Sequence, residues 1–429
     1  MNIACIGTGF IGVVTTAVFA NLGHQVTGVD IDEKKIESLK KGQVPFFEPG
    51  LKELLIKTQQ SGKLTFTTSY KQAISCAEIV MIMVGTPSNK DGSANLQYIF
   101  SAAESLAPYL QTNAIVVIKS TVPPGTNKIV EKIIKKQTKV KFFLASLPEF
   151  LKEGTAVADT LHPDRVIIGS TEPSVIAKLK KLHTPLTNNI LVMNAESAQM
   201  TKYGSNLYLA TRISFANELA DLCEHTGADI EEVLRGIGQD KRIGSHYWYP
   251  GLGYGGSCFP KDVKEIVSFV KKIGDSDSLF ITLDKRNEAR IPRLMQKFAQ
   301  QIGGFKDKTV AVLGLSFKKN TNDTRVAPSL QVVPWLLDHG AKVTATDPKA
   351  IKEAQKLLPK TVKYFPDPYK TCEAADIVLL LVEWDEYLNL DLHKLSKIMR
   401  PKKVFIDTRN QYEPQLVKNA GFTYLSIGR

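Results

Sequence analysis

The segment 255–262 places one cysteine among residues that could activate it; it reads Gly-Gly-Ser-Cys-Phe-Pro-Lys-Asp. The stretch from Pro250 to Pro260 is rich in glycine and bounded by proline, which favours a loop or a helix start for Cys258. A helix is predicted to follow from Lys261, and a helix N-terminus with a nearby cation favours the thiolate form. Most cysteines are small buried hydrophobes, but these neighbours predict a ligand-accessible nucleophile at Cys258.

Four further polar residues have a spacing that could assist such a nucleophile. Lys202 and Asn206 stand four apart in a predicted helix, so both lie on one face of it. Glu149 and Glu153 repeat this spacing after Pro148, which can begin a helical turn. A lysine and an amide can donate hydrogen bonds to an oxyanion, and carboxylates can orient a substrate or activate water. Each residue alone is more often structural or solvated, so the prediction depends on their combination.

A glycine turn near the N-terminus predicts a dinucleotide site. Gly7, Gly9 and Gly12 follow a predicted strand and open a predicted helix. Such a turn brings the backbone close to a pyrophosphate, and the helix N-terminus attracts its charge. Asp30 ends the next predicted strand, where a carboxylate can bind a ribose 2′-hydroxyl and repel a 2′-phosphate. The cofactor is therefore predicted to be NAD rather than NADP, although Lys35 nearby weakens that exclusion.

The C-terminal third of the chain restarts this pattern with a different loop. After its first predicted strand come Lys318, Lys319 and Arg325, and the glycine turn is missing. A cationic loop at the carboxyl edge of a sheet can bind a phosphorylated ligand. We predict such a ligand there rather than a second NAD, the alternative being a solvated basic loop.

Apolar runs alternate with helical segments at both ends of the chain, which is typical of parallel sheets covered on both faces. Strands are predicted at 1–6, 25–30, 79–84, 115–119 and 142–144, and helices at 13–22, 196–224 and 230–238. Residues 19–30 resemble residues 336–347, and residues 77–84 resemble residues 375–382, which indicates an internal repeat. We therefore predict an α/β fold: two Rossmann-like doubly wound domains joined by a long central helix and a helical middle domain. The predicted domains are 1–195 for NAD, 196–300 for the helices and the cysteine, and 301–429 for the nucleotide sugar.

Composition and charge favour a folded protein with a small anionic ligand. The 429 residues exceed one ordinary core and predict two or three domains. The formal net charge of +12 is spread without a block of basic residues, so nucleic acid is not a predicted partner. Five widely spaced cysteines without CxxC pairs favour neither disulfides nor zinc, and no metal is expected. Without a signal peptide or a run of about 18 apolar residues, we predict a cytoplasmic protein with no membrane contact.

Seven motifs together resemble the UDP-glucose/GDP-mannose dehydrogenase family over essentially the whole chain. They are GTGFIG at 7–12, VGTP at 84–87, STVPPGT at 120–126, PEFLKEG at 148–154, GGSCFPKD at 255–262, Phe317-Lys318 with Asp323 and Arg325, and EWD at 383–385. The cysteine motif is highly specific for the family. Leu147 stands where the family usually has asparagine, and Asn322 where it usually has aspartate. Neither departure removes a residue with an expected chemical role.

The resemblance implies two successive oxidations at C6 of UDP-glucose, which consume two NAD⁺ and one water and yield UDP-glucuronate. It implies that Cys258 carries first a thiohemiacetal and then a thioester. Lys202 and Asn206 would stabilise the oxyanion. A covalent thiol adduct retains the aldehyde between the two oxidations, which this chemistry requires.

The remaining site residues are also expectations from the resemblance. Asp262 and Thr121 would hold a water for proton transfer, and Glu153 would assist the hydrolytic water. The expected NAD-binding residues are Gly7, Gly9, Phe10, Ile11, Gly12, Asp30, Lys35, Thr86, Thr121, Glu153, Lys261 and Arg325. The expected substrate-binding residues are Glu149, Phe150, Leu151, Lys152, Glu153, Lys202, Asn206, Arg242, Tyr247, Trp248, Tyr249, Pro250, Gly251, Gly255 and Lys318.

Alternative functions remain open from the sequence. Within the family, UDP-N-acetylhexosamines and GDP-mannose are the other substrates, although residues 240–244 and the Lys202 helix look more like the UDP-glucose branch. Outside enzymes, an NAD-binding scaffold is disfavoured by the joint presence of Cys258, Lys202 and Asp262. The long helix also predicts a homodimer formed through it.

Overall fold

The computed structural model describes residues 1–429 and divides into two compact units, Met1–Ser205 and Asn206–Arg429. The strands are β1 Asn2–Ile6, β2 Gln25–Val29, β3 Leu64–Thr67, β4 Ile79–Ile82, β5 Ala114–Ile118, β6 Phe142–Ser146, β7 Val166–Gly169, β8 Ile190–Met193, β9 Thr309–Leu313, β10 Lys342–Thr346, β11 Lys363–Tyr364, β12 Ile377–Leu380, β13 Val404–Asp407 and β14 Thr423–Leu425. The helices are α1 Phe10–Asn21, α2 Glu33–Lys40, α3 Leu51–Gln60, α4 Tyr70–Ile74, α5 Gln97–Leu106, α6 Thr126–Gln137, α7 Ala156–Leu161, α8 Pro173–His183, α9 Ala195–Thr226, α10 Ile230–Gly238, α11 Phe259–Lys272, α12 Leu279–Ile302, α13 Ser329–Asp338, α14 Ile351–Ala354, α15 Pro368–Cys372, α16 Asp385–Leu388, α17 Leu392–Ile398 and α18 Pro414–Asn419.

The first unit contains an eight-stranded sheet in the order β3-β2-β1-β4-β5-β6-β7-β8. Its strand pairs are parallel except for the short contact of β6 with β7. Successive residues of β1 alternate between two cores: Ile3 and Cys5 pack in one, Ala4 and Ile6 in the other. Because a strand exposes alternate residues on opposite faces, an apolar run of this kind requires helices on both sides of the sheet.

The second unit contains a six-stranded parallel sheet in the order β11-β10-β9-β12-β13-β14. Counted from its own first strand, this is the 3-2-1-4-5-6 order of doubly wound dinucleotide folds, and the first six strands of the larger sheet have the same order. The prediction of two Rossmann-like domains is therefore confirmed, and so is the internal repeat.

The predicted long helix is present as α9, and α10 spans the predicted residues 230–238. The helix after the cysteine begins at Phe259, two residues earlier than predicted from Lys261, so Cys258 directly precedes it. The helical turn predicted after Pro148 is wrong: residues 147–152 are not helical. The Glu149 carboxylate accepts the N–H of Leu151 at 2.9 Å, which closes a local turn of another kind.

None of the helices combines the length and the apolar character that are needed to span a bilayer.

One contact is repeated in both sheets. In the first, the Asp30 carboxylate after β2 accepts the N–H of Thr8 after β1 at 2.9 Å. In the second, the Asp347 carboxylate after β10 accepts the N–H groups of Leu315 and Ser316 after β9, at 2.8 and 3.0 Å. Each acid thus fixes the turn that follows the first strand of its sheet.

We predict that Asp347→Ala destabilises the second unit by about 3 kcal/mol, because several buried N–H donors lose their acceptor together. The other carboxylate oxygen accepts the N–H groups of Lys349 and Ala350, both at 2.8 Å. Urea unfolding followed by fluorescence would measure the change. The exposed Asp338→Ala is the control and should stay within about 0.5 kcal/mol of wild type. Equal midpoints for the two variants would contradict the prediction.

Candidate active site

The glycine turn in the first unit has the shape that a pyrophosphate requires. Gly7 has φ of +95°, and a Cβ there would lie 2.6 Å from the carbonyl oxygen of Met83. A Cβ on Gly12 would overlap the carbonyl of Gly7, whereas open space surrounds the Cβ position of Gly9. Helix α1 begins at Phe10 and directs its free N–H groups toward this side. The turn therefore fits a dinucleotide, and these are the glycines that the sequence singled out.

Asp30 stands where the predicted ribose contact requires a carboxylate. Burial alone would raise its pKa, but the pKa is lowered by the N–H of Thr8, the ammonium of Lys35 and the Thr8 hydroxyl. Lys35 Nζ lies 2.9 Å from Asp30 Oδ2. Asp30 is therefore held ionised, as binding to a ribose hydroxyl requires, and Lys35 forms an ion pair with it.

The loops after β4 and β5 are joined at the carboxyl edge of the first sheet. The Thr86 hydroxyl donates to the carbonyl of Thr121 at 3.0 Å, and the Ser120 hydroxyl donates to the carbonyl of Val84 at 2.7 Å. The buried Gln199 of α9 accepts the N–H of Gly125 at 3.1 Å. The structure thus brings together Thr86 and Thr121, two residues expected near the cofactor.

Glu149 and Lys202 form a buried ion pair with 3.0 Å between Oε1 and Nζ, and each side chain is only 5% exposed. The guanidinium of Arg165 lies 4.0 Å from the centre of the Phe150 ring, and it donates to Ser205 Oγ at 3.2 Å. Arg165 was missed from the sequence because it precedes β7 and belongs to no motif. These contacts fix the loop after β6 against the first turns of α9.

Lys119 is a second buried lysine near this pair. Burial lowers its pKa to about 8; Glu149 and Cys5 oppose that shift, and Lys202 adds to it. Lys119, Glu149, Phe150 and Arg165 are among the residues that line a cavity of about 160 Å³. The only signal in the sequence was a lysine at the end of an apolar strand, so its burial went unpredicted.

Glu153 is positioned by a residue that the sequence did not single out. The buried Glu48 accepts the N–H of Gly154 at 2.6 Å and the N–H of Ala156 at 2.7 Å. Lys152 Nζ lies 3.7 Å from Asp159. Glu48 therefore satisfies the start of α7 and fixes the chain directly after Glu153.

In the second unit, Cys258 is exposed at the N-terminus of α11. Its carbonyl accepts the N–H of Asp262 at 2.9 Å, and its Sγ lies 3.7 Å from Ser257 Oγ. A thiol in this position is exposed to the positive end of the helix dipole, which favours the thiolate.

The carboxylate of Asp262 is buried and engaged on both oxygens. Asn206 Nδ2 donates to Oδ2 at 2.5 Å, and Lys261 Nζ lies 2.6 Å from Oδ1. Three residues expected in the site therefore meet around one carboxylate, one turn along α11 from Cys258.

The glycines before Cys258 pack against the loop after β9. A Cβ on Gly255 would lie 2.5 Å from the carbonyl oxygen of Val326, and a Cβ on Gly256 would lie 2.7 Å from the Phe317 ring. Val326 has φ of 50°, a left-handed conformation that is unusual for a β-branched residue. Only glycine fits at these two positions, so the cysteine loop and the cationic loop are in direct contact.

The other residues expected at the substrate have varied surroundings. Tyr247 has φ of 65°, and its ring centre lies 5.3 Å from that of Tyr249. Trp248 packs under the Arg212 guanidinium at 3.9 Å. Arg242 is exposed and pairs with Asp240 at 2.6 Å, while Arg325 pairs with Asp323 at 2.7 Å. Lys318 Nζ lies 5.4 Å from the centre of the Phe317 ring.

Two doubly wound sheets, a dinucleotide turn and an exposed helix-terminal cysteine together define a dinucleotide-dependent oxidoreductase. The chain belongs to the UDP-glucose/GDP-mannose dehydrogenase family: it matches the NAD binding domain at residues 1–187, the central domain at 196–289 and the UDP binding domain at 311–414. NAD is accordingly its cofactor.

Similar proteins cover the whole chain. The UDP-glucose 6-dehydrogenase TuaD of Bacillus subtilis is 42% identical over 430 residues, which are 100% of this chain and 93% of that protein. A solved UDP-glucose dehydrogenase from Pyrobaculum islandicum has a TM-score of 0.91 and 36% identity over 99% of this chain and 96% of that one. A UDP-D-ManNAc dehydrogenase from Pyrococcus horikoshii has a TM-score of 0.86 and 27% identity over 100% and 99%.

We predict that Lys119→Met stabilises the protein below pH 8, because it removes a buried ammonium whose pKa of about 8 lies below the ordinary lysine value of 10.5. The unfolded chain binds more protons than the folded one between pH 8 and 10.5, so the wild type gains stability as pH rises through this window. The advantage of the variant, up to about 3 kcal/mol, should therefore shrink toward pH 10.

Urea midpoints at pH 7, 8, 9 and 10 would measure this difference. The exposed Lys136→Met is the control, and its midpoint should follow that of wild type at each pH. A Lys119→Met advantage that stays constant from pH 7 to 10 would contradict the assignment.

Proposed function

We propose that this protein is a UDP-glucose 6-dehydrogenase that forms UDP-glucuronate with two NAD⁺. The observation that carries the proposal is Cys258, exposed at the start of α11 one turn before a buried carboxylate that Asn206 and Lys261 hold. The higher identity to enzymes named for UDP-glucose than to the one named for UDP-D-ManNAc supports this substrate.

The first oxidation removes a hydride from C6 and a proton from its hydroxyl. NAD⁺, bound at the glycine turn, accepts a hydride. We assign receipt of the proton, through water, to Asp262, because its carboxylate is held in place on both oxygens. The Lys202 and Asn206 side chains come from successive turns of α9, and as hydrogen-bond donors they stabilise the oxygen as it gains negative charge.

The second oxidation passes through the cysteine. The Cys258 thiolate adds to the C6 aldehyde, and the resulting oxyanion takes a proton to give a thiohemiacetal. Loss of a second hydride from C6 and of the hydroxyl proton gives a thioester. Water then adds to the thioester carbon, the C–S bond breaks, and the products are a carboxylate and the free thiol. We assign Glu153 to the activation of this water.

The assay that tests this proposal is NADH release with limiting UDP-glucose. We expect two NADH per UDP-glucose from the wild type and no full four-electron turnover from Cys258→Ser, since a serine hydroxyl is a far weaker nucleophile than a thiolate. Cys76→Ser, which changes the other exposed cysteine, is the matched control and should retain wild-type turnover. Full turnover by Cys258→Ser would overturn the thioester route.

Three further sugars test the substrate. UDP-N-acetylglucosamine, UDP-N-acetylmannosamine and GDP-mannose should each give a kcat/KM at least tenfold below that of UDP-glucose. A higher value for any of them would reassign the substrate within the family.

We further propose that the protein is a homodimer joined through α9. Tyr208, Phe215 and Leu222 recur every seven residues on this helix and are 58%, 50% and 60% exposed. Residues seven apart lie on one face, and a row of exposed large apolar side chains on a helix favours a protein partner. A second copy offers the same row.

Sedimentation of the wild type and of Leu222→Glu tests the dimer. We expect a dimer for the wild type at micromolar concentration and weakened association for the variant, because a charge would be buried at the interface. Leu416→Glu, at an apolar residue that is 61% exposed on α18, is the control and should remain dimeric. A monomeric wild type would count against the proposal.

A further inference from the structure

The segment Gly251 to Tyr254 is buried although it has no regular secondary structure. Leu252 and Tyr254 are only 3% and 6% exposed. Buried backbone N–H and C=O groups require partners, and a segment outside helices and sheets must find them in side chains. The residues that supply these partners determine where the chain runs as it approaches Cys258.

Gly251 is held on both sides. Its N–H donates to Asn217 Oδ1 at 2.7 Å, and its carbonyl accepts Arg290 Nε at 3.0 Å. Both partners are buried, Asn217 on α9 and Arg290 on α12. The beginning of the segment is thus fixed to two helices.

Tyr254 is held by a single side chain. Its N–H donates to Asn287 Oδ1 at 2.8 Å, and Asn287 Nδ2 donates to its carbonyl at 3.0 Å. The amide of Asn287 therefore occupies both backbone groups of one residue, as a neighbouring strand would. Gly253, with φ of +92°, permits this approach, because a Cβ there would lie 2.5 Å from Asn287 Oδ1.

We propose that Asn287 is a positioning residue for Cys258: its paired hydrogen bonds to Tyr254 fix the start of the segment that places the cysteine at the N-terminus of α11. Gly255 and Gly256, which separate Tyr254 from the cysteine motif, add no side chain that could do this. The inference rests on the proposed role of Cys258 in catalysis. Asn287 acts through the backbone and has no assigned contact with substrate or cofactor.

The variant that tests this is Asn287→Asp, which keeps the volume and the acceptor for the Tyr254 N–H. It loses the donor and sets a carboxylate oxygen against the Tyr254 carbonyl, so it changes the hydrogen bonds without leaving a cavity. The matched control is the exposed Asn419→Asp on α18, which makes the same chemical change on the surface.

Two measurements are needed, one with and one without substrate. In a Cys76→Ser background, iodoacetamide alkylation of Cys258 against pH reports the apparent pKa of that thiol, since the other three cysteines are buried. For Asn287→Asp we expect kcat to fall at least tenfold, KM for NAD⁺ to stay within twofold, and the alkylation profile to move to higher pH. The control should match wild type in all three.

Alkylation and kcat within twofold of wild type would overturn the proposal, even if the melting temperature falls. If Asn287→Asp does not fold, Gly253→Ala disturbs the same contact from the loop side, and the same two outcomes decide. The alkylation experiment uses no UDP-glucose, so a wild type that releases no NADH would refute the proposed function while leaving the positioning of Cys258 measurable.

Discussion

Both sheets depend on one contact: a carboxylate at the end of the second strand binds the backbone N–H groups just after the first. Asp30 makes it with Thr8, and Asp347 makes it with Leu315 and Ser316. In a doubly wound sheet the ligand lies at the carboxyl edge, so the loop after the first strand must be held in one conformation before anything can bind. Accepting these N–H groups supplies that order without a regular element.

The same principle recurs where the chain leaves regular structure. Glu48 satisfies the start of α7, Gln199 holds Gly125, and Asn287 holds Tyr254. Each is a polar side chain from a distant part of the sequence that completes the bonding of a loop near an expected site residue. Loops that carry chemistry in this protein are therefore rigid because buried side chains occupy their backbone groups, and their amino-acid composition alone does not reveal it.

The sequence predicted the fold well because its signals are local. Apolar runs, glycine turns and acids at strand ends each occupy a few consecutive residues, and the structure confirms the sheets and the two long helical segments built from them. Arg165, Lys119 and Asn287 could not be found in this way, since their importance lies in contacts with residues distant along the chain. The helical turn predicted after Pro148 failed for a related reason: the side chain of Glu149 competes for the backbone N–H that a helix would have used.

The repeated carboxylate contact also separates folding from recognition. In the first sheet the turn that Asp30 holds is glycine and leaves room for a pyrophosphate, whereas in the second Ser316 occupies the turn and donates its hydroxyl to Asp347 at 3.0 Å. The frame is the same, and only the residues between strand and helix differ. A duplicated sheet can therefore exchange one nucleotide ligand for another by changing a few turn residues, with no intermediate sequence that fails to fold.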